Sequence, residues 1–401
     1  MARILPPIAL LLSPFALIAA GVAVSPAAQP SKSNQQDQLA ALGEKLFHDP
    51  MLSRDGNQSC ATCHDPDFAF TDPRESRAGR AVSMGDDGKS HGDRHTPTLS
   101  YAAFSPDFHL AKNGKYKGGQ FWDGRADNLQ DQAGQPILNP VEMGMPDRET
   151  VAQRIRDNGD YAREFTTVFG AGVLDDTDAA FEGATAALAA YQSTDEFSPF
   201  DSKYDRYMRG EVEFTPQEEF GKTVFITWNC RLCHVLRSPG FTPDETFTSF
   251  EYHNIGIPVN AEVRAISGMG EDFVDQGLLA RPGMDDAAQA GRHKVPTLRN
   301  VAVTGPYMHN GVFKDLRTAV VFYNQYTSRR PESKINPETG EPWGDPEVAE
   351  NLSLHELRSG LMLDDARVDA LVAFLETLTD KRYEPLLAEQ KKAAEQDIAS
   401  K

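Results

Sequence analysis

Cysteine is scarce in this 401-residue chain: there are four, Cys60, Cys63, Cys230 and Cys233. Positive charge is short as well, with 40 Lys and Arg against 59 Asp and Glu and a net charge of −19. So few cations leave no basic stripe for a phosphate backbone, which excludes nucleic acid as the expected partner. An acidic protein of this kind should dock with basic faces, chiefly by faster association. Apolar residues hardly alternate with period two, which argues against an extensive half-buried sheet and for a mainly α chain with long loops. The 31 glycines and 26 prolines fit those loops. The length allows two domains with cores of their own.

Apolar runs long enough to span a bilayer are also missing. The one candidate, "MARILPPIALLLSPFALIAAGVAVSPAAQP", is interrupted at Pro6, Pro7 and Pro14. Arg3, the apolar stretch behind it and the small residues at 20–28 read as a secretory signal peptide, residues 1–28, cut after Ala23 or Ala28. No cysteine follows it for a lipid anchor. The mature chain is expected to be periplasmic, without stable membrane insertion.

The four cysteines lie in two motifs, "CATCH" at 60–64 and "CRLCH" at 230–234. An exported protein would ordinarily pair its cysteines, but a disulfide within Cys-x-x-Cys closes too small a loop to stabilise a large domain. Structural zinc does not explain a histidine directly behind each pair, and a dithiol redox site needs neither a second copy nor that histidine. Covalent c-type haem needs this arrangement. Two thiols form thioethers to the porphyrin, and the next residue, His64 or His234, supplies the proximal imidazole to iron. Two covalently bound haem c groups are therefore expected, on Cys60 and Cys63 and on Cys230 and Cys233.

The rest of the chain repeats around these motifs. A short amphipathic helix precedes each, "QDQLAALGEKLFHDP" and "TPQEEFGKTVFI", the second capped by Thr215 with Pro216 and Glu218 behind it. Further on, "RHTPTLSYAAF" echoes "HKVPTLRNVAV", and "KGGQFWDGRADNL" echoes "TGPYMHNGVFKDL". These echoes predict two tandem cytochrome c-like domains, 29–205 and 206–385, with a break near "SKYDRYMRGE". The tail 386–401 reads as a frayed helix without a role. In the helix after each echo, Gln132 lies at i+3 from Leu129 and Tyr323 at i+7 from Leu316, on one helical face. An amide ligates iron poorly and leaves the first haem open; a phenol oxygen can close the second.

With its two haem motifs, "QFWDGRADNLQDQAGQPILNPVEMG" and "KVPTLRNVAVTGPYMHNGVFKDLRTAVVFYN", the chain resembles the bacterial di-haem cytochrome c peroxidases and their relative MauG over residues 38–385. The resemblance implies a peroxidatic haem in the first domain, an electron-transfer haem in the second, and Trp122 between them. It implies a peroxide pocket of Gln132, Pro136 and Glu142, and Tyr323 as axial ligand of the second haem where many peroxidases carry Met; Met308 is the rival ligand. His253, His293 and His309 are read as structural or hydrogen-bonding residues. Two positions depart from the family. The loop that carries a capping histidine in many members reads "SMGD", placing Asp86 there, with His91 nearby. The asparagine of the family's inter-haem calcium falls on His95, beside the Thr304 and Pro306 carbonyls; calcium is thus an expectation weakened by the poor affinity of imidazole for that ion.

Three functions follow from this reading. The leading one is a peroxidase reducing hydrogen peroxide with electrons from a small periplasmic cytochrome c or copper protein. The second is a MauG-like enzyme oxidising aromatic side chains of a partner protein. The third, a non-catalytic electron carrier, would have no use for a proton-transferring carboxylate such as Glu142.

Overall fold

The computed structural model describes Met1 and residues 32–236, 242 and 244–400. The segment read as a signal peptide thus lies, Met1 apart, outside the described residues. Helices dominate. Among the described residues the named strands form two short antiparallel pairs, His109–Leu110 with Tyr116–Lys117 and Tyr252–His253 with His293–Lys294.

The repeat in the sequence becomes a repeat in space. In the first half the leading helix Lys32–His48 packs on the closing helix Thr177–Tyr191; in the second, Pro216–Thr227 packs on Asp365–Glu376. Both crossings occur at a glycine. A Cβ on Gly43 would overlap the Ala187 carbonyl and lie 2.9 Å from Tyr191 Cβ, and one on Gly221 would overlap the Ala370 carbonyl and lie 2.8 Å from Phe374 Cβ. Here the helices need the missing side chain for close approach, which outweighs glycine's low helix propensity. The aromatic cores correspond: Phe47 meets Tyr191 edge-on at 5.4 Å, and Phe225 meets Phe374 at 5.4 Å. The "PTL" echo acquires a cause as well, since Thr98 Oγ1 donates to the Ala69 carbonyl and Thr297 Oγ1 to that of Thr246, each pinning a loop behind a haem motif.

A polar seam joins the halves. Arg94 of the first half grips Asp275 of the second at 2.7 Å through two nitrogens. Tyr101 Oη donates to Asp380 Oδ1 at 2.5 Å, and Asn300 Nδ2 donates to its other oxygen at 2.8 Å. The linking helix Lys203–Met208 carries Asp205, whose two oxygens take hydrogen bonds from Arg299 at 2.5 and 2.8 Å; neither side chain has any exposure. A buried charge needs such a bidentate partner. The terminal helix Glu384–Ser400 is not without contacts: Leu386 and Leu387 pack on Ala69, Val303 and Tyr383, and Lys391 pairs with Glu376.

Candidate functional site

Each half encloses one cavity behind its cysteine motif, of about 290 Å³ in the first half and about 230 Å³ in the second. Cys60 and Cys63 lie on one helical turn, as do Cys230 and Cys233, so the i and i+3 thiols share a side. None of the four is in a disulfide. Burial pushes the Cys60 and Cys63 thiols up to about 12 and that of Cys230 to about 11, and at Cys63 it outweighs the Arg74 guanidinium 3.2 Å from Sγ, so no thiolate is held ready for zinc or redox exchange.

The histidines provide the sharper test of whether haem fits. His64 Nδ1 is 3.0 Å from the Phe70 carbonyl, and His234 Nδ1 is 2.9 Å from that of Phe247. A carbonyl only accepts, so both Nδ1 atoms carry the proton and both Nε2 atoms keep a free lone pair. Burial holds both imidazoles neutral, His234 down to about 4. An oriented neutral imidazole beside two thiols on an apolar cavity is the donor set for covalently attached haem iron. The residues fit the group in both halves.

The cavity that His64 borders is also lined by Gln132, Pro136 and Glu142. Gln132 and Pro136 share a face of the helix Leu129–Leu138, which Asn128 caps by accepting from Asp131 N at 3.0 Å. Pro136 has no N–H for the Gln132 carbonyl, and the helix ends soon after, at Asn139. The turn beyond carries Glu142, whose carboxyl burial holds above the usual carboxylate range, with Arg125 and Asn139 partly opposing. Its carbonyl accepts from Asp86 N at 2.8 Å, an approach that Gly85 permits because a Cβ there would meet the Val141 carbonyl at 2.6 Å.

The Asp86 carboxylate turns away from this cavity, accepting the backbone N–H of Asp55 at 2.5 Å and of Asn57 at 2.9 Å. It anchors the loop leading into the first motif, and neither Asp86 nor His91 is among the cavity's lining residues. His95 does line it, with Thr304 and Pro306, and burial lowers its imidazole to about 4. A neutral ring nitrogen is the wrong donor for a hard cation.

Tyr323 follows the helix Leu316–Phe322 and lines the second cavity with His234, Cys230 and Cys233. Burial raises its phenol well above the usual range, so only a metal cation opposite would draw off its proton. Met308, in left-handed backbone at φ 73°, lines both cavities, as does Trp122. The indole is fixed by its Nε1–H, donated to the His95 carbonyl at 2.8 Å. Trp122 therefore stands in the wall between the cavities.

Sequence reasoning missed two features of that wall. Asp275, His293 and His309 converge within 4.8 Å beside the second cavity. The two rings stack at 3.7 Å with planes 11° apart, so no single ion can lie in both ring planes, and Arg94 already holds the carboxylate. The cluster is an ion-pair node. Burial opposes the Asp275 charge, but His293 and Arg94 outweigh it and hold its carboxyl well below the usual range. Among the described residues Nε2 of His253, His293 and His309 makes no hydrogen bond of full geometry, but each faces a carboxylate, Glu251 at 3.7 Å from His253 and Asp275 at 3.4 and 3.8 Å from His293 and His309. The second feature is Lys294, which lines both cavities. Only its backbone pairing in the strand could have hinted at this, and two-residue strands leave no periodic signal.

The comparisons agree with this geometry. Residues 37–213 match the family model described as di-haem cytochrome c peroxidase. The chain is 69% identical over 386 residues to methylamine utilization protein MauG of Paracoccus denitrificans, covering 96% of this chain and 98% of that one. It is 32% identical to cytochrome c peroxidase Ccp of Escherichia coli over 74% of this chain and 55% of the other. The crystal structure of the diheme peroxidase BthA from Burkholderia thailandensis superposes with a TM-score of 0.74 at 33% identity, covering 88% of each chain. Fold and cavities define a tandem cytochrome c-like chain with one cavity behind each cysteine motif. The chain belongs to the di-haem cytochrome c peroxidase/MauG family, whose members are peroxide-linked oxidoreductases.

Proposed function

We propose that this chain is a MauG-like enzyme that takes oxidising equivalents from hydrogen peroxide at the first cavity and delivers them, past Trp122 and the second cavity, to aromatic side chains of a partner protein. Bound haem iron supplies the redox chemistry at both cavities. Glu142, buried and with a raised pKa, takes the proton from the inner peroxide oxygen and passes it to the outer one. Gln132 orients peroxide by hydrogen bonding, and Pro136 fixes the helix end that presents both groups. Trp122, held by the His95 carbonyl, bridges the cavities. The balance closes, because peroxide takes two electrons and two protons to give two waters, and the aromatic substrate loses two of each.

The observation that carries this reading above the scavenging peroxidase is the phenol of Tyr323 facing the second cavity. An anionic oxygen ligand favours oxidised iron, which suits an oxidant of protein side chains better than an acceptor of donor electrons. The 69% identity to a protein named for methylamine utilization supports the same choice and suggests a partner in that process. The leading sequence-based reading, a donor-fed peroxidase, yields to its alternative on these grounds. The signal-like N-terminus supports a periplasmic location.

The test is to incubate the oxidised enzyme with peroxide and candidate partner proteins of methylamine utilization, with reduced cytochrome c or copper protein assayed alongside. Peroxide-dependent loss of hydrogens on the partner, read by mass spectrometry, with slow donor oxidation, is the expected result. Fast donor-driven turnover with an unmodified partner would overturn it.

A further inference from the structure

Lys294 is the cation whose place in the wall the proposed chemistry leaves unused. Its backbone N–H donates to the Trp122 carbonyl at 2.8 Å, and its Nζ reaches the Gly119 carbonyl at 2.5 Å. That carbonyl is the ammonium's only hydrogen-bond partner among the described residues, and no carboxylate there lies within ion-pair distance. Asp123 is nearby but is already held by Arg94 at 2.6 Å and Arg125 at 3.2 Å. One carbonyl satisfies one of three N–H groups, and a part-buried ammonium without an ionic partner is disfavoured. Burial, only partly opposed by the Asp123 charge, pushes Lys294 down to about 7, so the chain by itself barely keeps it charged. The missing partner must be an anion that arrives with whatever fills the cavities. Each haem carries two carboxylates, and Lys294 borders both cavities.

We propose that Lys294 is the shared counter-ion for haem carboxylates arriving from both cavities, and that its charge sets the reduction potentials of the two haems together. The inference rests on the di-haem reading. A cation beside a haem carboxylate offsets its negative charge, and removing it leaves that charge to stabilise the ferric state. Both irons would become harder to reduce. The neighbouring Arg94 cannot substitute, since Asp275 and Asp123 already engage its guanidinium.

The experiment compares the holoenzyme with Lys294→Gln and Lys294→Met, the first keeping a hydrogen-bond donor without charge and the second the apolar stem. Midpoint potentials come from spectroelectrochemical titration, haem propionate modes from resonance Raman, and haem count from the pyridine haemochrome. Both variants should keep two covalent haems and their axial ligation spectra, while both potentials move negative and propionate modes of both haems shift. Potentials that stay put, or a shift at one haem alone, would overturn the assignment. A wild-type protein without two covalent haems would defeat the di-haem reading itself, which the haem count detects independently of any potential.

Discussion

Replacing Glu142 by glutamine tests the proton path most directly. The change keeps side-chain volume and the contact with Asn139 but removes the only function that a buried carboxylate has beyond those: to accept a proton. In the first cavity Gln132 still offers an amide, so peroxide binding and orientation should persist. Positioned proton transfer contributes about 10²–10⁴-fold to a rate, or about 3–5 kcal/mol of barrier at 1.36 kcal/mol per decade. Stopped-flow mixing of the oxidised variant with peroxide should show the first-haem reaction slowed by that factor, with haem content and resting spectrum unchanged. The pH profile provides a second readout. Burial raises the Glu142 pKa, so the wild-type rate should fall as pH drops through that raised value, where the acceptor becomes protonated. The glutamine variant should lose that limb. A variant that reacts at wild-type speed, or that keeps the acid limb, would refute the assignment and transfer the proton to another group.

Three further outcomes are expected. Since all four cysteines sit at the two cavities, intact mass should show two covalent haems and thiol titration should find none free; one haem or a disulfide would contradict this. Tyr323→Met should raise the second haem's reduction potential and speed its reduction by small cytochromes, measured by redox titration; an unchanged potential would shift the ligand role to Met308. Asp205→Ala strands the Arg299 guanidinium in a site without solvent exposure, so urea unfolding should show a loss of about 3–5 kcal/mol, the usual cost of breaking a buried pair.

The readings that came directly from the chain are those whose chemistry is local. Cys-x-x-Cys-His places two thiols and an imidazole on one turn by backbone geometry alone, so both haem motifs were legible without a fold. The "PTL" and "DNL"/"KDL" echoes announced the repeat, because each half must pin the same loop and cap the same distal helix. The offsets from Leu129 and Leu316 placed Gln132 and Tyr323, since a helix presents the same face at i+3 and i+7. Other features depend on segments far apart in the chain. Asp86 occupies a capping position in sequence, yet its carboxylate serves the Asp55 and Asn57 backbone, a choice set by Gly85 lying against Val141. Gly43 and Gly221 gain meaning only where Ala187 and Ala370 press against them. The wall between the cavities draws Trp122 and Arg94 from one half and Lys294, His293, His309 and Asp275 from the other. Sequence periodicity records which way a side chain faces on its own element; it carries no record of which distant charge it will face. That pairing is decided by how the halves pack, because a buried charge is stable only where an opposite charge meets it, as Asp275 meets Arg94.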